Sequence, residues 1–341
     1  MTQAHSQSIH PPQSAHPRPL FAVETPPYIH SLYTVNSMMR DTFLALLPAA
    51  TLAVWTFGLP AFRVMALAAS TAVLTEAAWQ TLLGQRLRIH DHTAFITGLL
   101  FAFLLPAGAP WWLVVTGGAL TIILGKQVFG GLGTNPLCPP LIGWALMTVA
   151  WPTQMDPAAM NLSITYIEPL ARMKYFGYAA LPAGGELSLF LGKQLGGLGS
   201  AQIAAVLVGG LFLAARKAVR WEIPLALILG VLVIGGLFWR FGASWGVNPA
   251  LTPPPHLYLL TGSTLFTAFF LATDHSSSPI ASAGMVGYGL LAGALLVLIR
   301  IFGVYPDGAP FAVLVASLLT PMFDLIRVAP YRQRSEPCAK S

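Results

Sequence analysis

Few residues in this chain can do chemistry, and the acids come first. Glu76, Asp274, Asp307 and Asp324 lie inside or beside long apolar runs. On insertion scales a carboxylate at mid-bilayer costs about 2.5–3.5 kcal/mol, so such a group is a functional candidate by default. Glu76 sits within the run 63–84 and must face protein or water. It either pairs with a basic group or lines an ion path. Asp274 opens the stretch Ala272-Thr-Asp-His-Ser-Ser-Ser-Pro279. It has two compatible readings, an ion path and a cap for the helix that follows. Thr273 and Ser276 make this a hydroxyl-rich helix start, which also suits an anion. Asp324 precedes Arg327 by three residues and reads as half of a local salt bridge. Asp307, in Tyr-Pro-Asp-Gly, reads as a turn residue.

The second candidate is Gly125-Lys-Gln-Val-Phe-Gly-Gly-Leu-Gly-Thr-Asn-Pro-Leu-Cys-Pro-Pro140. Gly130, Gly131 and Gly133 allow backbone shapes closed to other residues and let a flat ligand come near, with Asn135 beside them. Pro136, Pro139 and Pro140 stop helices. Irregular backbone at membrane depth is tolerated only where it is buried or lines a cavity. A re-entrant ligand or ion site therefore fits better than a plain surface loop. No Ser-His-Asp or HExxH arrangement is present, and His90 and His92 around Asp91 read as a solvated loop. The two cysteines, Cys138 and Cys338, form no metal-binding cluster, so no metal site is expected.

These residues are carried by an apolar scaffold. Of 341 residues, 55% are hydrophobic and 9% charged, against about 25% charged in soluble proteins. Such a chain places its surface in lipid, which excludes a soluble enzyme and a nucleic-acid module. Apolar runs fall at 43–60, 63–84, 93–106, 110–128, 139–152, 201–218, 222–241, 256–273, 281–302 and 309–327. They are continuous rather than alternating, which argues for helices and against a β-barrel. The fold expected is an all-α polytopic membrane protein of about ten transmembrane helices.

Charge sets the expected orientation. Arg40, Arg86, Arg88, Lys126, Arg216, Lys217, Arg220, Arg327, Arg332 and Arg334 fall on one side, and only Arg63, Arg240 and Arg300 in the opposite short loops. That bias puts both termini in the cytoplasm. The expected division is a flexible cytoplasmic arm over 1–40, a membrane domain over 41–327 and a cytoplasmic tail over 328–341. No cleaved signal is expected at the start. Within the membrane domain, halves at about 41–152 and 201–327 flank an external loop at about 153–200. The halves share a pattern: Val128-Phe-Gly-Gly-Leu-Gly-Thr-Asn-Pro136 and Ile301-Phe-Gly-Val-Tyr-Pro-Asp-Gly308 each follow an apolar run ending in one base, Lys126 or Arg300. Five runs per half is an odd number, so the halves would be inverted, with broken helices meeting near the midplane.

Taken in order, these segments resemble the D-type membrane protein of the Rnf electron-transport complex. That family is similar to the B-type membrane protein of the Na⁺-translocating NADH:quinone reductase. The resemblance runs from Met39 to Tyr331 and is most specific in Lys126 to Pro136, Phe269-Phe-Leu-Ala-Thr-Asp274, Arg300 to Gly308 and Thr320-Pro-Met-Phe-Asp324. It implies ten helices in two inverted halves, in a multi-subunit complex of the bacterial inner membrane. That complex moves electrons between ferredoxin and NAD while driving Na⁺ or H⁺ across. It also implies a flavin on the D-type component, as FMN linked by phosphoester to a threonine of the external loop. The pair matching Gly130 and Gly131 is associated with a quinone site in the quinone reductase relative.

The sequence departs from that pattern at two places. The match to the flavin motif is Thr165-Tyr-Ile-Glu-Pro-Leu-Ala171, with Glu168 where the acceptor threonine belongs. A carboxylate cannot form the threonyl phosphoester and repels a phosphate. Covalent FMN is therefore not expected, and any FMN or riboflavin would be held non-covalently. Cys138 replaces an asparagine of the family's Asn-Pro-x-Asn-Pro pattern.

The function expected is that of a membrane subunit in an Rnf-like ion-translocating complex. Its scaffold would carry a flavin or quinone pocket at Gly130, Gly131, Gly133, Asn135, Thr273 and Ser276, and an ion path at Glu76 and Asp274. Partner subunits would carry the iron–sulfur centres and other flavins. The alternatives are a solute channel or transporter on the same scaffold, and a cofactor-free membrane anchor.

Overall fold

The computed structural model describes residues 34–84, 89–157, 168–177 and 185–325. The expected arm up to residue 33, the expected tail, Arg86, Arg88, Arg327 and Thr165 lie outside them. Helix dominates, and the described residues hold no strand beyond an isolated bridge between Pro106 and Gly197. The first stretch contains α1 (Val35–Phe57), α2 (Leu59–Leu82), α3 (Thr93–Leu104), α4 (Trp111–Ile122) and α5 (Pro139–Ala150). Four short helices follow, α6 (Pro152–Met155), α7 (Pro169–Phe176), α8 (Glu186–Phe190) and α9 (Leu198–Ala201). The second stretch contains α10 (Ile203–Ala215), α11 (Glu222–Phe241), α12 (Pro255–Leu260), α13 (Thr264–Phe266), α14 (Ser282–Phe302), α15 (Ala309–Leu318) and α16 (Thr320–Asp324).

Helix occupies each apolar run read from the sequence. Three helices are long and apolar enough to cross a bilayer: Leu59–Leu82, Glu222–Trp245 and Ser282–Phe302. Their outward faces carry Leu74, Leu82, Leu229, Trp239 and Phe302, all exposed. Water would not tolerate so much contiguous apolar surface; lipid does. The fold is thus an all-α membrane protein.

One boundary differs from expectation. α1 starts at Val35, inside the expected arm. The expected boundary between residues 40 and 41 therefore falls within this helix. Asp41 is nevertheless buried, because Arg216 at the end of α10 donates to its Oδ2 at 3.2 Å. Once paired, the acid can enter a helix–helix contact.

Packing follows small residues. α11 lies against α14, and a Cβ added to Gly230 would stand 2.7 Å from the Leu290 carbonyl oxygen. Only glycine lets the two backbones come this close. α2 packs on α3 and α4, and α1 packs on α10. At the centre, Phe103 of α3 stacks on Phe266 of α13 with ring centroids 5.5 Å apart. Phe266 in turn stacks on Phe270 at 5.5 Å. Aromatic stacking thus joins the interior ends of two short helical segments.

Candidate functional site: two helix breaks and two cavities

Two helices break in the same manner. α4 ends in a π-helical turn over Ile123–Gln127, and α13 continues into another over Thr267–Leu271. Such turns occur often at functional sites. After the first, Gly130, Gly131 and Gly133 take φ of 104°, 105° and 83°. Those values reverse the chain, and a side chain there would be strained. Pro139 then opens α5 at the position where a missing N–H costs nothing. After the second π turn, Thr273 Oγ1 donates back to the Phe269 carbonyl at 2.8 Å. The chain then runs irregularly to α14.

The breaks meet. Asn135 Nδ2, from the first, donates to Asp274 Oδ2, from the second, at 3.4 Å across 139 positions of sequence. Asp274 Oδ2 also accepts from Ser276 Oγ at 2.8 Å and Ser277 Oγ at 3.1 Å. Asn135 Nδ2 also reaches the Leu137 carbonyl at 3.0 Å. The Asp274 carboxylate is therefore held by two neighbouring hydroxyls and, at the same time, against the opposite break; it does not cap the following helix, since α14 begins after Ala281 with no side-chain cap.

A cavity of about 300 Å³ opens beside this contact. Met38, Ile96, Leu100 and Phe270 supply apolar wall, and Asn135 and Ser276 polar edge. Of the residues expected here, Gly133, Asn135, Asp274 and Ser276 line it, and Thr273 lines the adjoining smaller cavity. Gly130 and Gly131 line neither cavity; Gly130 is exposed and Gly131 partly so. Their positive φ bends the chain that carries Gly133 and Asn135 to the wall.

Glu76 is paired. Lys126 Nζ lies 2.7 Å from its Oε1 and 2.8 Å from its Oε2, and donates to Thr93 Oγ1 at 2.8 Å. Gln80 Nε2 adds a further hydrogen bond at 3.2 Å. Glu76 and Lys126 are 4% and 3% exposed, so each charge is satisfied inside protein. Of the two readings open in the sequence, the structure shows the pairing.

Asp307 does more than turn the chain. Its Oδ1 accepts from Arg300 Nη2 at 3.2 Å, and its Oδ2 from the Ser263 amide at 3.0 Å and the Ser263 hydroxyl. Arg300 also donates to the Tyr258 and Thr261 carbonyls at 2.8 and 3.0 Å and to Thr264 Oγ1 at 2.8 Å. This buried arginine thereby satisfies the loose carbonyls between α12 and α13. Asp324 Oδ1 accepts from the Ile280 amide at 2.9 Å, which ties α16 to the approach of α14. Its expected partner, Arg327, lies outside the described residues.

A second cavity, of about 280 Å³, lies beside Glu168. Leu104, Trp144, Leu170 and Tyr305 supply apolar wall, and Asp156, Glu168 and Asp307 line it as well. Glu168 stands at the N-cap position of α7. Burial pushes its carboxyl up to about 7, helped by the nearby charges of Asp156 and Asp307 and by a hydrogen bond with Asp156. Its Oε2 is buried without a hydrogen-bond partner among the described residues. On the same helix, Lys174 Nζ donates to the carbonyls of Gly303 and Tyr305, and burial lowers its pKa.

The donor set of this cavity does not fit an FMN phosphate. Among the described residues, its polar lining includes three carboxyl groups and no Lys, Arg or His. Sequence reasoning found Glu168 but not its neighbours, since nothing local to Asp156 or Asp307 marks them as cavity residues. No cluster of three or more metal-ligating side chains occurs among the described residues.

Fold and cavities together define a polytopic helical membrane protein with two interrupted helices joined at an Asn–Asp contact. The chain belongs to the NQR2, RnfD, RnfE family, which it matches over residues 22–331. It is 32% identical to the D component of the Na(+)-translocating ferredoxin:NAD(+) oxidoreductase complex of Acetobacterium woodii, over 89% of this chain and 92% of that protein. It is 34% identical to the D components of the ion-translocating oxidoreductase complexes of Salmonella paratyphi A and Salmonella typhimurium, over 89% of this chain and 96% of each.

Proposed function

We propose that the chain is the D-type membrane component of an Rnf-like complex that couples electron transfer, of the ferredoxin:NAD type, to Na⁺ or H⁺ translocation. Family membership over residues 22–331 gives the class of complex. The single structural observation that carries the site is the Asn135–Asp274 contact, which joins two helix breaks at a cavity. In this reading about ten segments cross the bacterial inner membrane in two inverted halves, with both termini cytoplasmic. The positive-inside bias supports that orientation.

Asp274 is the ion-handling group. Glu76, locked to Lys126, serves the architecture of the same wall. The Asp274 cavity is the pocket for a non-covalent flavin or a quinone. A flat ring would have Met38, Ile96 and Phe270 against its faces and the Asn135 amide and Ser276 hydroxyl at its edge, with Asp274, His275 and the Glu76-paired Lys126 also in the lining. A group of this kind would pass electrons, while the protein holds it in place and excludes water. Iron–sulfur centres reside on partner proteins, because the two cysteines here cannot supply the four thiolates such a centre needs.

Purification of the tagged full chain from its native membrane tests the reading. Co-purification of iron–sulfur and flavin proteins is expected. Recovery of the chain alone, with solute uptake in vesicles that no electron donor affects, would identify a channel or transporter instead.

A further inference from the structure

The Glu168 cavity has a chemistry of its own. Three carboxyl groups line it, and Arg300 neutralises the one on Asp307. The nearby cations are engaged or turned away. Arg300 donates through Nη1 and Nη2 to Asp307, Thr264 and the Tyr258 and Thr261 carbonyls and is not among the lining residues. Lys174 is tied to the Gly303 and Tyr305 carbonyls, and Arg172 is exposed and outside the lining. The stretch 158–167, which joins the lining residues Pro157 and Glu168 in the chain, contains no Lys, Arg or His. Much of the remaining surface is apolar, and its two aliphatic hydroxyls point at backbone: Ser200 Oγ donates to Gly197 and Thr148 Oγ1 to Trp144, both at 2.8 Å. The lining atom left without a partner among the described residues is Glu168 Oε2.

We propose that this cavity is a binding site for an uncharged, apolar-bodied ligand with one hydrogen-bonding edge, and that the Asp156–Glu168 pair excludes phosphate from it. An apolar ring fills the space between Trp144, Leu170 and Tyr305. Its edge engages Glu168 Oε2, the buried atom that the described residues leave unsatisfied. A phosphate brought to the same place meets two carboxyl groups, with no cation among the described lining residues to offset it. The site is separate from the Asp274 cavity, since the two share no lining residue.

Riboflavin and FMN are the matched probes, because they differ only by the phosphate. Binding of each to the purified full chain is measured by flavin fluorescence, for wild type and for Ala171→Trp, which fills the cavity from α7. The component lost in Ala171→Trp belongs to this site. Thr148→Trp, from α5, gives the same subtraction should the first variant fail to fold. The expected result is a riboflavin component at least about tenfold tighter than that of FMN. Asp156→Asn/Glu168→Gln, which keeps the shape and removes both acids, should bring FMN to within about threefold of riboflavin. Equal binding of the two flavins to wild type, absence of the riboflavin component, or undiminished discrimination in the double variant would each overturn the assignment. Membership in an Rnf-like complex is read separately, by co-purification, so neither result decides the other.

Discussion

Lys126 Nζ and Glu76 Oε1 lie 2.7 Å apart, joining the π turn after α4 to α2 across 50 positions of sequence. Thr93, the first residue of α3, completes the contact. Arg300, the base that ends the corresponding run later in the chain, binds Thr264, the first residue of α13. In both places a buried base grips the start of a short interior helix. Each base thereby fixes the position of a segment that borders a break.

Removing one partner of the first pair should be costly. Lys126→Met leaves Glu76 buried without its cation, which destabilises by about 3–5 kcal/mol. Lys126→Met/Glu76→Gln should recover most of that loss, because no isolated charge remains. Thermal unfolding in mild detergent reads both. Equal loss in the single and double variants would show that the lysine acts through packing alone.

Arg300→Lys should not substitute for arginine. The guanidinium reaches Tyr258, Thr261, Thr264 and Asp307 together, and an ammonium point charge cannot span that set. The expected outcome is lowered thermal stability and faster proteolysis of the 255–266 region. A variant as resistant as wild type would contradict the role assigned to Arg300.

The peptide containing residues 161–174 should carry no flavin. Glu168 lacks the hydroxyl that a threonyl phosphoester requires, and its cavity is lined by acids rather than bases. Mass spectrometry of that peptide should give the unmodified mass. An increment of one FMN would refute the expectation.

The Asp156–Glu168 pair makes stability depend on pH. The Glu168 carboxyl titrates at about 7 in the fold, against 4.5 ordinarily. The folded chain therefore binds more protons than the unfolded chain between those values, so stability falls as pH rises through that window. Burial is the main cause of the raised value, and the charges of Asp156 and Asp307 add to it. Unfolding followed from pH 4.5 to 7 should show a steeper decline in wild type than in Glu168→Gln. Parallel curves would remove Glu168 from the account.

Much of the scaffold was legible in the sequence, because a continuous apolar run has few alternatives to a helix. The breaks were legible too: the Gly and Pro content of 125–140 and the Ser-rich stretch after Asp274 both mark irregular backbone. The start of α1 was not. The boundary expected between residues 40 and 41 falls inside α1, and the distant Arg216 explains how Asp41 is buried there. The pairing of Glu76 with Lys126 was half visible, since two lone charges in apolar runs each require a partner, yet the sequence does not say which. Asp307 looked like a turn because Tyr-Pro-Asp-Gly is one; its contact with Ser263 spans 44 positions and has no local signal. Gly130 and Gly131 stand outside the lining of the Asp274 cavity, and their positive φ shapes the chain that leads to Gly133 and Asn135.

The most direct test of the central claim is Asp274→Asn in the intact complex, reconstituted in vesicles. Electron transfer, ion uptake and protein composition are measured on the same preparation. Assembly should persist with ion uptake lost or reduced about tenfold or more, because the amide keeps the hydrogen-bonding shape but cannot carry the charge. Ion uptake equal to wild type, at equal electron flow, would contradict a path through Asp274 and with it the role given to the joined helix breaks.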